Sequence, residues 1–420
     1  MKHLKHIGIL CPPGAGHLNP MNALGYELQR RGHQVTLFGL PDVESYATAA
    51  KLNFYPIGAD KYPLGTVRQS QEFLGKLNGI QALLHTINLS RQGIEVVLEE
   101  VTQGCKKVGI QALLIDQILL ECPTICEYLN LPFVTVCNAL MLNSEQTVPP
   151  PYTFWDYNSS WWGQFRNQIG TNLLKLTFLP VHLTVNKYRK KWGLKPLPSK
   201  DWHDIWSTRA IISQQPPSFE FPRQNLPDYF HFVGPLVNNI TRAEIPFPWE
   251  KLNCQPLIYV SLGTIQNKLL WVFIRIAYAC LDLNVQLVIS LGNATEPEEL
   301  GYVPGSPIVV KAAPQLALLE RASLCITHGG MNTTLESLSN STPMVAIPIT
   351  NDQPAVARRI SWTKTGEAID LKKCTVNLLR TAIQKVLLEP QYRQNALRIK
   401  AEIEALGGTT KAANIIEANI

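Results

Sequence analysis

Short apolar runs recur along the chain. Each closes on a glycine- or proline-containing turn and gives way to a segment with helical spacing. HIGILC (6–11) runs into Pro-Pro-Gly and reads as a buried strand. PMNALGYELQRRG (20–32) places apolar residues at helix spacing and ends on glycine, a helix-stop signal. HQVTLFGL (33–40) is the next strand. Strand, turn, helix, strand is the opening of a parallel α/β sheet. The unit recurs at QALLIDQ (111–117), through a helical stretch to Glu127, and at PFVTVCNA (132–139).

Residues 147–206 break the rhythm. They hold Pro-Pro-Pro, six of the nine tryptophans and a basic cluster at Lys187, Arg189, Lys190 and Lys191, so a helical, irregular insertion is expected there. Residues 236–256, rich in Pro and Asn, read as a linker. The alternation then restarts at LIYVSLG (257–263), with later strands at VQLVIS (285–290), PIVVKAA (307–313), SLCITHGG (323–330) and PMVAIP (343–348). The pattern predicts two Rossmann-like α/β domains facing a cleft, residues 1–235 and 257–403. A length of 420 residues suits two domains.

Composition narrows the function classes. The net charge of +6, from 38 Lys+Arg against 32 Asp+Glu, is too diffuse for a nucleic-acid stripe. No apolar run reaches the roughly 18 residues of a spanning helix, and the start MKHLKHIGILCPPGAGH lacks a secretory leader's long apolar stretch. The nine cysteines show no CxxC spacing; Cys122 and Cys126 read as buried reduced thiols, which points to a reducing cytoplasm. His3 and His6 read as exposed residues ahead of the first strand rather than a metal clip, and no carboxylate cluster suits Mg²⁺.

Two glycine turns carry the candidate chemistry. GAGHLN (14–19) has Gly14 and Gly16 but no third glycine, and the second strand is followed by Phe38 and Gly39 where a dinucleotide site wants an acid. That argues against NAD or FAD. His17, at the carboxyl end of the first strand, is placed to take a proton from a hydroxyl. Asp116 ends another strand of the same sheet and is a candidate partner for its ring. In CITHGGMNTTLES (325–337) a strand ends at His328 and a helix begins near Asn332. Glycines there let a backbone approach a ligand, and the N–H groups of a helix start bind an anion. Thr333 adds a donor, Glu336 lies one turn on, and Asp352 and Gln353 return to the same edge. A nucleoside diphosphate with a sugar on its end fits that set.

THGGMNTTLESL (327–338) with PMVAIPITNDQP (343–354), APQLALLERA (313–322), GHLNP (16–20) and VSLGT (260–264) resembles the family 1 glycosyltransferases, the UDP-glycosyltransferase superfamily with the GT-B fold. Within it, FEFPRQNLPDYFHFVGPL (219–236), NDQPAVARRI (351–360) and GGTTKAANIIE (407–417) are most similar to bacterial zeaxanthin glucosyltransferases. The resemblance implies His17 as general base and Asp116 as its partner. It assigns Ser261, Thr264, His328, Asn332 and Thr333 to the diphosphate, and places Gly16, Gly263, Ala313 and Gly330 in the donor site as well. Gln315 and Glu336 go to the nucleoside, and Asp352 and Gln353 to the sugar. It implies glucose transfer from UDP-glucose as co-substrate, with inversion to a β-glucoside, no metal and no other cofactor. A last helix at about 404–420 would pack back on the first domain. Ala312 stands where plant members carry a Trp that stacks on uracil, and two residues are missing before His328, so the base stays open between uridine and thymidine.

The family builds its acceptor pocket in the aromatic insertion. Asn138, Trp155, Trp161 and Trp162 are the candidate lining for a large apolar hydroxylated acceptor, a carotenoid on this likeness. The run 161–193, aromatic and aliphatic with a basic end, suits peripheral contact with an anionic membrane as well as a solvated helix with charged ends. Rival readings are a flavonoid, polyketide or sterol glycosyltransferase, a UDP-sugar epimerase and a non-catalytic sugar-nucleotide-binding subunit.

Overall fold

The computed structural model describes residues 4–197, 202–242, 244–264, 268–292 and 295–420. The first sheet holds β1 (His6–Leu10), β2 (Gln34–Gly39), β3 (Asn53–Pro56), β4 (Ala112–Asp116), β5 (Phe133–Cys137), β6 (Ile211–Ser213) and β7 (Phe230–Phe232), in the order 3-2-1-4-5-6-7. The second holds β8 (Leu257–Ser261), β9 (Gln286–Ser290), β10 (Ile308–Val310), β11 (Ala322–Thr327), β12 (Met344–Ala346) and β13 (Gly366–Ala368), in the order 10-9-8-11-12-13. Every pairing in both sheets is parallel.

Parallel sheets need cover on both faces, and the sequence supplies it. β1, β4 and β8 are buried at every residue, which is why they read as unbroken apolar runs. Helices flank each sheet and enclose one core on either side of it. The strand order reverses between β1 and β4 in the first sheet and between β8 and β11 in the second. Such reversals open a crevice beyond the carboxyl ends of the strands. The architecture is two Rossmann-like domains, α/β throughout.

The strands missing from the sequence reading are β3, β6, β7 and β13, of three or four residues each. Runs that short show no period. The aromatic insertion contains one 31-residue helix, Trp161–Lys191, whose start is capped by Ser160 accepting from the Gly163 N–H at 3.2 Å. The extended stretch before it reaches the other domain. Leu140 and Phe154 pack into the second domain's core, and the Tyr157 ring lies 5.2 Å from Trp362.

The chain end returns to the first domain. Helix Gly408–Asn419 buries Ala412, Ala413 and Ile416 in a core shared with Ile7 and Leu24. Arg31 ties it down by donating to Asn414 Oδ1 and Glu417 Oε2.

Two histidine readings change or fall away. His6 is buried rather than exposed, with Nδ1 2.8 Å from the Val108 carbonyl and Nε2 2.7 Å from Thr36 Oγ1, because it is itself the first residue of β1. His3 lies outside the described residues. All nine cysteines are free thiols. No helix among the described residues is long and apolar enough to cross a membrane.

Candidate active site

The crevices of the two sheets face each other, and the candidate residues gather on their lips. His17 lies in the first turn of helix Ala15–Arg30, directly after β1, and Asp116 is the last residue of β4, next to β1 in the sheet. His17 Nδ1 is 2.7 Å from Asp116 Oδ2. An ionised carboxylate only accepts, so Nδ1 carries the proton and Nε2 presents its lone pair. Asp116 is fully buried and held by two further donors, the Asn138 amide at 2.6 Å and the Ile118 N–H at 3.1 Å. Burial pulls the His17 pKa down, but Asp116, by charge and hydrogen bond, and Asp352, by charge, outweigh it, so the value stands above the ordinary one for histidine. Such a pair can take a proton and keep the resulting charge.

Asn138, expected at the acceptor, orients Asp116 instead. Its Oδ1 is buried and has no hydrogen-bond partner among the described residues. A buried acceptor without a partner is a place where a ligand hydroxyl could donate.

The second domain contributes the turn between β11 and helix Met331–Ser339. The helix has no side-chain cap, so its first N–H groups have no side-chain acceptor, and Asn332 and Thr333 do not act as caps. The glycines differ from the expectation of ligand approach. A Cβ on Gly330 would sit 2.5 Å from His328 Nε2, and one on Gly263 would sit 2.7 Å from the same atom. Both positions are bare because the His328 ring fills the space. Gly263, at φ +83°, also needs its backbone freedom. Burial pushes His328 down to about 4 against the pull of a hydrogen bond with the Ser261 backbone. It is therefore a neutral N–H donor near pH 7 rather than a positive charge.

Asn332 is also committed differently. Its Nδ2 donates to the Gly16 carbonyl at 2.9 Å and its Oδ1 accepts from Gln214 at 2.8 Å, bridging the cleft. Gly16 has open space where a Cβ would stand. Ser261 ends β8, and Thr264 beyond it is exposed. Thr333 and Ala313 are buried. Gln315 donates to Glu336 Oε2 at 2.6 Å and accepts from the Tyr259 hydroxyl at 3.2 Å. Glu336, expected to hold ribose, has its other oxygen paired with Arg242 of the linker. A cleft of about 210 Å³ opens beside it, lined in part by Val237, Leu316 and Asn340.

Where the sequence predicts the sugar contacts, one Asp352 oxygen accepts from the Leu140 N–H at 2.9 Å across the cleft. Burial raises the Asp352 pKa, against that hydrogen bond and the His17 charge. Gln353 is buried, and its Oε1 accepts from the Ile349 and Thr350 N–H groups at 2.9 and 3.0 Å. It shapes its own loop rather than offering that oxygen to a sugar. The tryptophans also depart from expectation. Trp155 stacks under Arg166 at 4.8 Å, while Trp161 and Trp162 are exposed at the start of the long helix. The cavity beyond Leu140, lined by the 140–152 stretch and by Leu174 and Phe178, holds only about 30 Å³.

Three contributors escape a reading of spacing. Gln214 donates to the Asn138 carbonyl as well as to Asn332, so one amide links the dyad's support to the facing loop. Arg242 reaches Glu336 from a linker with no periodic signal. Glu220 and Arg359 form a buried pair between the domains. Only the paired polar residues of ISQQPP (212–217) hinted at any of these. Among the described residues no group of three His, Cys, Asp or Glu side chains is arranged around a metal position.

Comparison with known proteins places this geometry. Residues 11–403 match the family model described as UDP-glucoronosyl and UDP-glucosyl transferase. A zeaxanthin glucosyltransferase of Pantoea ananas is 29% identical over 417 residues, covering 99% of this chain and 96% of that protein. One from Pseudescherichia vulneris is also 29% identical, covering 99% and 98%. The solved glycotransferase of kitacinnamycin superposes over the whole of both chains with a TM-score of 0.75 at 22% identity, a likeness of fold. The chain accordingly belongs to the UDP-glucuronosyl and UDP-glucosyl transferase family, as a glycosyltransferase of GT-B architecture.

Proposed function

We propose that the protein moves glucose from UDP-glucose to a hydroxyl of an apolar acceptor, a carotenoid such as zeaxanthin, giving a β-glucoside. The observation that carries this is the His17–Asp116 pair at 2.7 Å on the lip of β1 and β4, with the donor-side loop bonded to Gly16 beside it. His17 Nε2 takes the proton of the acceptor hydroxyl, and Asp116 stabilises the imidazolium. The acceptor oxygen bonds to the anomeric carbon from the face opposite the diphosphate. The bond from that carbon to the phosphate oxygen breaks, and UDP departs with the electron pair. The uncapped helix start at Met331, the His328 N–H and Thr264 receive the growing negative charge. This assigns the charge to protein dipoles and asks for no resident metal or cofactor. Asn138 Oδ1 and the remaining Asp352 oxygen are the acceptors for hydroxyls at the sugar end.

Two rearrangements belong to substrate binding, one at the donor and one at the acceptor. Ribose must share Glu336 with Arg242, and the acceptor cavity beyond Leu140 must widen severalfold to take a terpenoid. The likeness to relatives named zeaxanthin glucosyltransferases supports the acceptor class. Such an acceptor resides in lipid, so the enzyme works in the cytoplasm in peripheral contact with a membrane. A second reading keeps the mechanism with a thymidine diphosphate sugar, since Ala312 offers no stacking ring to favour uracil.

The test is mass spectrometry of purified protein with UDP-glucose and zeaxanthin in detergent, beside a flavonol, a sterol and a macrolide. A hexose on zeaxanthin is the expected product. Transfer only to another acceptor overturns the carotenoid, and transfer only from dTDP-glucose overturns the uridine. Gly330→Ala is a second check. Its Cβ displaces the His328 ring, and calorimetry is expected to find UDP bound roughly tenfold more weakly or worse, the effect of about 1–3 kcal/mol for losing a charge-assisted hydrogen bond. An unchanged affinity removes His328 from the diphosphate site.

A further inference from the structure

Helix Trp161–Lys191 wears its apolar residues on the wrong side for a helix in water. One face is held by the first domain, where Val181 and Val185 sit in a core with Ile87 and Ile94 of helix Gly79–Val96. The opposite face presents Trp162, Phe165, Ile169, Leu173, Leu176 and Leu183, each 45–64% exposed. At about 100° per residue these six fall within one arc of roughly 80°. The stripe from Trp162 to Leu183 runs for about 32 Å at 1.5 Å per residue. A contiguous apolar strip of that length on an outer face marks something that covers it.

Charge decides what. The helix contains six basic residues and not one acidic residue. Arg189 is buried against Glu127, and Lys191 pairs with Glu99. Lys187 and Lys190 are exposed, and the same arithmetic places Lys187 on the arc that carries the apolar stripe and Lys190 about 20° beyond its edge. A second copy of this chain laid on the stripe would bring the same cations and no carboxylate on the helix to meet them. A lipid surface with anionic headgroups meets both features, apolar side chains entering the acyl boundary and lysines resting among phosphates.

We propose that the outer face of helix Trp161–Lys191 is a membrane-docking surface that lies flat in the headgroup region of an anionic bilayer. It does not span, and binding requires neither donor nor acceptor. The inference fits the acceptor reading above but stands apart from it, because vesicle binding and sugar transfer are separate measurements.

The test is sedimentation of the full chain with phosphatidylcholine vesicles, with and without about 30 mol% phosphatidylglycerol, an anionic surface that draws roughly 1 kcal/mol per nearby lysine. Binding to the anionic vesicles is expected, weakening steeply in high salt. Lys187→Gln with Lys190→Gln is expected to lower that affinity about tenfold or more, and to leave binding to neutral vesicles unchanged. Leu173→Gln, Leu176→Gln and Leu183→Gln together are expected to lower binding to both by about tenfold or more. Glutamine keeps helix propensity, and the circular dichroism and melting temperature of each variant report the fold. The lysine pair keeps the test valid if the leucine variant unfolds. No binding to anionic vesicles overturns the proposal, as does binding that neither set of changes reduces. A concentration-dependent dimer dispersed by the leucine changes would overturn it in favour of a second copy.

Discussion

His17→Ala is expected to lower transfer roughly 10²–10⁴-fold, the usual contribution of a positioned general base, while leaving UDP affinity within a few-fold. The reason is geometric. Nδ1 is occupied by Asp116 at 2.7 Å, so Nε2 alone is available to take a proton, and no other described side chain is held by that carboxylate except the Asn138 amide. The pH profile gives an independent check. The base works unprotonated and its pKa stands above the ordinary histidine value, so kcat/KM should rise with pH through an inflection above about 6.5. Asp116→Asn removes the carboxylate's pull, so the inflection should move to lower pH as the rate falls. An inflection that stays put in Asp116→Asn, or a His17→Ala rate within tenfold of the parent, would remove the dyad from the mechanism.

The parts of this protein that could be read along the chain are those whose physics is local. β1, β4 and β8 are buried on both faces, so composition alone marks them, and the turns after them hold their polar residues at the sheet edges. His17 and Asp116 lie 99 positions apart, yet parallel strands deliver both to one edge. What escaped is what a second element decides. Gly330 looks like a cradle for a ligand until the His328 ring is seen against it. Trp161 and Trp162 look like pocket lining until the helix that carries them turns outward. Glu336 and Asn332 look uncommitted until Arg242 and Gln214 arrive from remote segments. β6 and β7, at three residues each, owe their existence to the strand beside them rather than to any pattern of their own.

Glu220→Gln is expected to lower the apparent unfolding free energy by about 3–5 kcal/mol, the effect of leaving buried charge uncompensated. Glu220 lies in the loop before β7, and Arg359 lies on helix Gln353–Trp362 of the other domain; both side chains are almost wholly buried. Arg359 donates to the carboxylate through Nε at 3.0 Å and Nη2 at 2.5 Å, and Arg223 stands 3.3 Å from it. The substitution therefore strands two guanidinium groups in the interface. The acid limb gives the sign. Burial raises the Glu220 pKa, but Arg359 and Arg223 outweigh it and bring the folded value down to about 2, from 4.5. A depressed carboxylate stabilises the fold fully above its unfolded pKa and loses that stabilisation as pH falls toward the folded one. The gap between parent and Glu220→Gln should hold steady above about pH 5 and narrow progressively toward pH 3. Urea unfolding at a series of pH values measures it. A gap under about 1 kcal/mol, or one that ignores pH, would show that the pair does not hold the domains together. The consequence reaches the site, because Asp352 immediately precedes that helix and bonds to Leu140 across the cleft. Loosening the Arg359 anchor should raise the KM for the donor even at temperatures where the variant remains folded.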